Sequence, residues 1–90
     1  VPVEFTESAE KRGIPRDEVL FVISEGRLWQ NWQDPRPPHG PAWLWIGPSR
    51  YGTLEVMAEV TPPRAIRVFH VMPLRQSTAV KVGYSEEDAQ

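Results

Sequence analysis

Ninety residues with a net charge of −2, no cysteine, four tryptophans and 40% apolar content describe one small folded domain rather than a disordered chain. The missing cysteines exclude disulfides and thiolate metal sites and fit a reducing, cytoplasmic setting. The longest apolar runs, Val19–Ile23 and Ala42–Ile46, are too short to span a bilayer, and no phosphate loop, zinc motif or nucleophile elbow is present.

The elements follow in chain order. Val1–Phe5 reads as a short strand. Thr6 suits the N-cap of a short helix through about Arg12, with Gly13 as its left-handed stop. Pro15, then Asp17 and Glu18, mark the start of a second helix over Arg16–Glu25. Its stripe Val19, Leu20, Val22 and Ile23 is expected to face a core. Leu28–Gln33 reads as a strand, and the proline-rich stretch after it as a stiff loop. Trp43–Ile46 is a short apolar strand. Thr53–Val60 alternates, with Leu54, Val56, Ala58 and Val60 inward and Glu55 and Glu59 outward. Ala65–Met72, apolar apart from Arg67 and His70, suits a central strand stopped by Pro73. Thr78, Val80 and Val82 are spaced as in a strand over Gln76–Tyr84, with a last helix as the alternative. The expected architecture is α+β, with two N-terminal helices packed on one face of a small antiparallel sheet and the other face open to a partner. Residues 1–84 form the single domain and residues 85–90 a disordered acidic tail.

Charge is unevenly spread. Val60–Ser85 contains Arg64, Arg67, Arg75 and Lys81 and no acid, whereas the first 25 residues hold six acids against three bases. A basic C-terminal surface is the footprint of a nucleic-acid partner.

Three stretches carry a family resemblance. Phe5–Ile14, with Lys11-Arg12-Gly13-Ile14, is similar to the opening strand, helix and basic-Gly-apolar turn of the RelE/ParE-like toxin superfamily, particularly its small BrnT-like members. Ile46–Val56 resembles the Ile-Gly, polar turn and Leu-strand hairpin of those proteins, and Val68-Phe69-His70-Val71-Met72-Pro73-Leu74-Arg75 resembles their strand ending in His-Ala-Met-Pro-x-Arg. The resemblance implies a RelE-like fold in a bacterial toxin–antitoxin pair. It implies a metal-independent endoribonuclease or RNA-binding protein without a cofactor, and a cognate antitoxin as partner; a homodimer is a further possibility. Such members are basic overall and this chain is acidic.

Metal-free RNA cleavage needs a base, an acid and cations for the developing charge. His70 is the strand histidine that can exchange protons near neutrality, or alternatively a strand histidine with a satisfied hydrogen bond. Arg75 and Arg67 can hold phosphate in a forked contact, and Tyr84 can donate a proton. In a regular strand Arg67 and His70 would point to opposite faces. Arg75 has no acid near it in sequence, so phosphate is its expected partner. Arg50, Arg64 and Lys81 are further candidate RNA or partner contacts. Trp29 and Trp32 offer stacking surfaces for unpaired bases or anchors for a protein. A non-catalytic binding module on the open sheet face is the alternative function.

Overall fold

The computed structural model describes residues 3–33, 41–61 and 65–85. The proline-rich loop, Arg64 and the tail beyond Ser85 lie outside them, as does the expected role of each. The elements run β1 (Val3–Phe5), α1 (Glu7–Glu10), α2 (Arg16–Glu25), β2 (Arg27–Gln33), β3 (Pro41–Gly47), β4 (Leu54–Thr61), β5 (Ala65–Pro73) and α3 (Gln76–Val82). The fold is α+β, with a five-stranded sheet in the order β1-β5-β4-β3-β2.

The start of the chain folds as its residues dictate. The Thr6 side chain accepts from the Ala9 backbone N–H and caps α1, and Gly13 takes the left-handed conformation at φ 70°. Pro15 precedes α2 with its ring-fixed φ of −58°. At the other end of α2, Gly26 and Gly47 let two backbones meet. A Cβ on Gly47 would lie 2.8 Å from the Gly26 Cα, so glycine here permits close approach of helix end and strand.

Strands β2 to β5 form an antiparallel meander, but β1 lies parallel to β5, pairing Val3 with Ile66 and Phe5 with Val68. The sheet is therefore mixed, not antiparallel as expected. β1 leads into α1, and the chain returns to the sheet only at the far edge. Nothing turns β1 back on a neighbour, so the hairpin geometry that dictates antiparallel pairing is absent.

Both faces of the sheet carry a core. On one, Ala9 of α1 and Val19 and Val22 of α2 pack with Trp45, Leu54, Val56, Val68 and Val71. Leu20, expected in this stripe, is 41% exposed, because the helix turns only Val19 and Val22 fully inward. On the other face, Leu44, Ile46, Met57, Phe69 and Tyr84 are buried with Leu74, Ala79 and Val82 packed against them. The expected open face is thus covered at this end. The segment expected as a strand is α3. Thr78 is buried and Val80 is 71% exposed, a helical rather than an alternating pattern, and Gly83 closes the helix in the left-handed conformation at φ 69°.

Two register shifts re-aim side chains. One lies between Met57 and Ala58, where Ala58 pairs with Val68 but Met57 pairs with His70. Phe69 is the extra residue of this bulge, and the shift brings His70 to the same face as Arg67. The other lies between Trp29 and Trp32 on β2.

Candidate functional site

Glu55 leaves β4 on the α3 side of the sheet and is fully buried. The expectation that it faces solvent fails because α3 makes that face a second interior. Three groups converge on its carboxylate. His70 Nε2 lies 2.8 Å from Oε2. Arg75 donates to Oε2 from Nε at 3.1 Å and from Nη2 at 2.8 Å. The Arg75 backbone N–H donates to Oε1 at 2.8 Å. Burial pushes the Glu55 pKa up, but the hydrogen bonds from His70 and Arg75 outweigh it and hold the carboxyl down from the ordinary 4.5 to about 2. Glu55 is therefore ionised near neutrality and can only accept, which makes Nε2 the protonated nitrogen of His70. Arg75 was expected to lack an acidic partner; it has one, contributed by a strand twenty residues earlier in the chain.

Arg75 is also the residue from which α3 starts, and its carbonyl accepts from the Ala79 N–H at 3.0 Å. By gripping both its backbone and its side chain, Glu55 seats α3 on the sheet. The Arg75 side chain remains 38% exposed and His70 9%, so arginine is the member of the cluster that reaches solvent. A carboxylate-oriented imidazole beside a guanidinium has the parts for proton transfer and anion binding, although the imidazole itself is enclosed.

The other expected catalytic residues lie elsewhere. Arg67 shares a face with His70 but sits in a row of alternating charge. It is paired in register with Glu4 and Glu59, and its Nε is 3.7 Å from a Glu4 oxygen. Tyr84 is buried and meets the Trp29 ring edge-on at 6.3 Å between centroids. Arg50 is tied to α2. Its backbone N–H donates to Glu18 at 2.7 Å, and its Nε lies 3.6 Å from the same carboxylate, with the side chain 88% exposed.

Trp29, Trp32 and Lys81 do come together. A groove of about 760 Å³ runs between β2 and α3, lined by Leu28, Trp29, Gln30, Trp32, Lys81 and Val82. In a regular strand residues three apart face opposite ways; the register shift between Trp29 and Trp32 brings both indoles to this side. Each ring has a cation against it, with the Arg27 guanidinium 5.1 Å from the Trp29 centroid and the Lys81 ammonium 5.9 Å from that of Trp32. Trp32 is 9% exposed, and its indole N–H is buried without a hydrogen-bond partner among the described residues.

Two participants do not stand out in the sequence. Arg27 left no signal beyond its place one residue after Gly26. Glu55 did leave one: it is an acid on a strand whose neighbour, β5, carries His70 in a stretch otherwise without acids.

A second cleft of about 600 Å³ lies between α2 and the β3–β4 turn, with Asp17, Glu18, Phe21, Pro48 and Arg50 in its walls. Among the described residues no group of three His, Cys, Asp or Glu side chains is placed to hold a metal ion, and no helix is long and apolar enough to cross a membrane. No protein-family model, curated protein or solved structure matches this chain.

Proposed function

We propose that this chain is an RNA-binding domain of the RelE/ParE-like toxin kind, and that it takes unpaired RNA in the groove between β2 and α3. The observation that carries the reading is the pair Trp29 and Trp32, turned to one side of β2 by a register shift and each set against a cation. Flat aromatic surfaces beside mobile positive charge are what a single strand requires. Bases stack on the rings, each worth roughly 1–3 kcal/mol, while arginine and lysine meet the phosphates. The overall charge of −2 does not oppose this, because the groove is lined by Lys81 and uncharged residues, with the Arg27 guanidinium against the Trp29 ring. In this reading a cognate antitoxin is the protein partner.

The test is direct binding of a fluorescein-labelled single-stranded RNA of about eight nucleotides. Trp29→Ala is expected to weaken binding by about tenfold, and Lys81→Gln to flatten the salt dependence by roughly 0.7 in slope. A parent protein with no affinity for RNA even at low salt would end the proposal.

Cleavage is the second reading, favoured by the Glu55–His70–Arg75 cluster with its arginine open to solvent. Here His70 exchanges the proton and Arg75 holds the phosphate. Arg75→Ala is a poor test alone, because it also removes the side-chain part of the grip on α3. His70→Gln keeps a donor for Glu55 and cannot shuttle protons. Under this reading it loses RNA cleavage and growth arrest with its melting transition intact; under binding alone, RNA affinity is unchanged and there is no cleavage to lose.

A further inference from the structure

We propose that Glu55 is a positioning residue for RNA binding: it does not line the groove, but its grip on Arg75 fixes where α3 holds Lys81. The inference rests on the RNA-binding reading above.

The groove has one fixed wall and one hung wall. Trp29 and Trp32 belong to β2, whose place is set by its ladder with β3. Lys81 and Val82 belong to α3. That helix has seven residues, too few to be stable in water by its own hydrogen bonds, so its position comes from what it touches. Its apolar ties are small. Thr78 is its one fully buried residue, Ala79 and Val82 are half-buried, and Val80 is 71% exposed. Beyond the helix the Tyr84 ring meets Trp29 edge-on, a contact that leaves room to slide. The directional tie is at the N-cap. One Glu55 oxygen accepts the Arg75 backbone N–H at 2.8 Å, and the other accepts the guanidinium at 2.8 and 3.1 Å.

Small errors in that seating matter at the groove. Arg75 and Lys81 are six positions apart, about 9 Å along a helix. A change of roughly 20° in helix direction then shifts one end against the other by about 3 Å. The Lys81 ammonium lies 5.9 Å from the Trp32 ring centroid, at the outer limit of about 6 Å for attraction between a cation and a ring. A shift of that size takes the charge away from the ring, and away from the phosphate of a base stacked in the groove.

The sign of the effect separates position from charge. Glu55 is an acid, so by charge alone its removal favours a polyanion and leaves Arg75 freer to meet a phosphate. By position its removal weakens RNA binding, because Lys81 is no longer held in place.

The parent chain, Glu55→Gln, Lys81→Gln and the double variant are titrated against fluorescein-labelled single-stranded RNA of about eight nucleotides over a range of salt. Glu55→Gln keeps the shape of the side chain and discards its charge. It is expected to weaken binding about fivefold at low salt and to lower the salt slope by roughly 0.7, the contribution of one phosphate contact. In the Glu55→Gln background Lys81→Gln is expected to cost less than about twofold more, because both act through one contact. Trp29→Ala, on the fixed wall, keeps its full effect of about tenfold there. Glu55→Gln binding as tightly as the parent, or more tightly, overturns the proposal and leaves the RNA reading intact. A loss in Glu55→Gln to which that of Lys81→Gln adds in full overturns the route through Lys81. A parent chain with no affinity overturns both readings. If Glu55→Gln fails to fold, Arg75→Gln takes its place: it keeps the backbone N–H that Glu55 accepts and loses the guanidinium contacts. Lys81→Gln is then expected to cost less in Arg75→Gln than in the parent. An equal cost in the two backgrounds overturns the proposal.

Discussion

The two faces of the sheet are covered by different means. On the α1–α2 side, Ala9, Val19 and Val22 lie on Trp45, Leu54, Val56 and Val68, and the cover is held by removal of apolar surface from water. On the α3 side the apolar contribution is thinner. Ala79 and Val82 are only partly buried, and the helix is secured at its N-cap residue, Arg75, by a carboxylate from β4. The first face is a conventional interior. The second buries charge to seat a short helix and thereby forms one wall of the Trp29–Trp32 groove. An apolar contact tolerates sliding, whereas a carboxylate held from several directions allows one position. A groove wall that must present Lys81 beside Trp32 gains from that restriction.

The largest expected effect falls on the ionic side. Glu55→Ala leaves His70 and Arg75 without their shared acceptor in a buried setting, and is expected to destabilise the domain by about 3–5 kcal/mol. Denaturant unfolding measures the loss, and amide exchange should show α3 released ahead of α2. A loss under about 1 kcal/mol would mean that the cluster does not hold the helix.

Acid should act on the same face. The folded Glu55 carboxyl titrates at about 2, below its ordinary 4.5, so its contribution is complete above about pH 4.5 and disappears as the pH falls toward 2. That shift corresponds to about 3 kcal/mol. In Glu55→Gln the corresponding part of the acid dependence is expected to vanish. Parallel acid-unfolding profiles for the parent and Glu55→Gln would show that the carboxylate is not the group responsible.

The smallest effect separates two neighbours on α2. Leu20 is 41% exposed and Val22 fully buried. Leu20→Ala is expected to cost under about 1 kcal/mol despite losing the larger side chain, and Val22→Ala about 2 kcal/mol. Thermal melts of the two variants, with the order reversed, would place the helix on the sheet in a different rotation.

The apolar face was largely legible in the sequence because its instructions are local. Thr6, Gly13 and Pro15 act on their own neighbours, and Leu54, Val56 and Ala58 alternate as a strand should. The second face was not, because its instructions combine distant residues. Alternation makes Glu55 an outward residue, and only α3, twenty residues further on, turns outward into inward. Thr78, Val80 and Val82 fit a strand by spacing alone; burial of Thr78 against an exposed Val80 distinguishes the helix, and burial is a property of the finished fold. The register shifts at Trp29/Trp32 and Met57/Ala58 leave no periodic trace. Yet they decide that two indoles share a groove and that His70 faces Glu55. Arg75 and His70 were recognisable as candidates by residue type, while their joint partner depended on topology.

The parallel pairing of β1 also has a bearing on how the domain assembles. Val3 lies beside Ile66, and the Thr6 N–H reaches the Val68 carbonyl at 3.0 Å and the Ser8 hydroxyl that of Phe69 at 2.7 Å. The first residues of the domain thus find their partners more than sixty residues downstream, the most distant pairing in the sheet. Closing so long a loop is slow because its entropy is lost before the contacts form. The meander β2 to β5, whose strands are joined in succession, is the natural early structure. During synthesis β1 and α1 would emerge first and dock last, leaving the β5 edge uncovered until they arrive. An uncovered edge is a template for another chain's strand, so the interval before β1 docks is the period in which this domain is most exposed to intermolecular pairing.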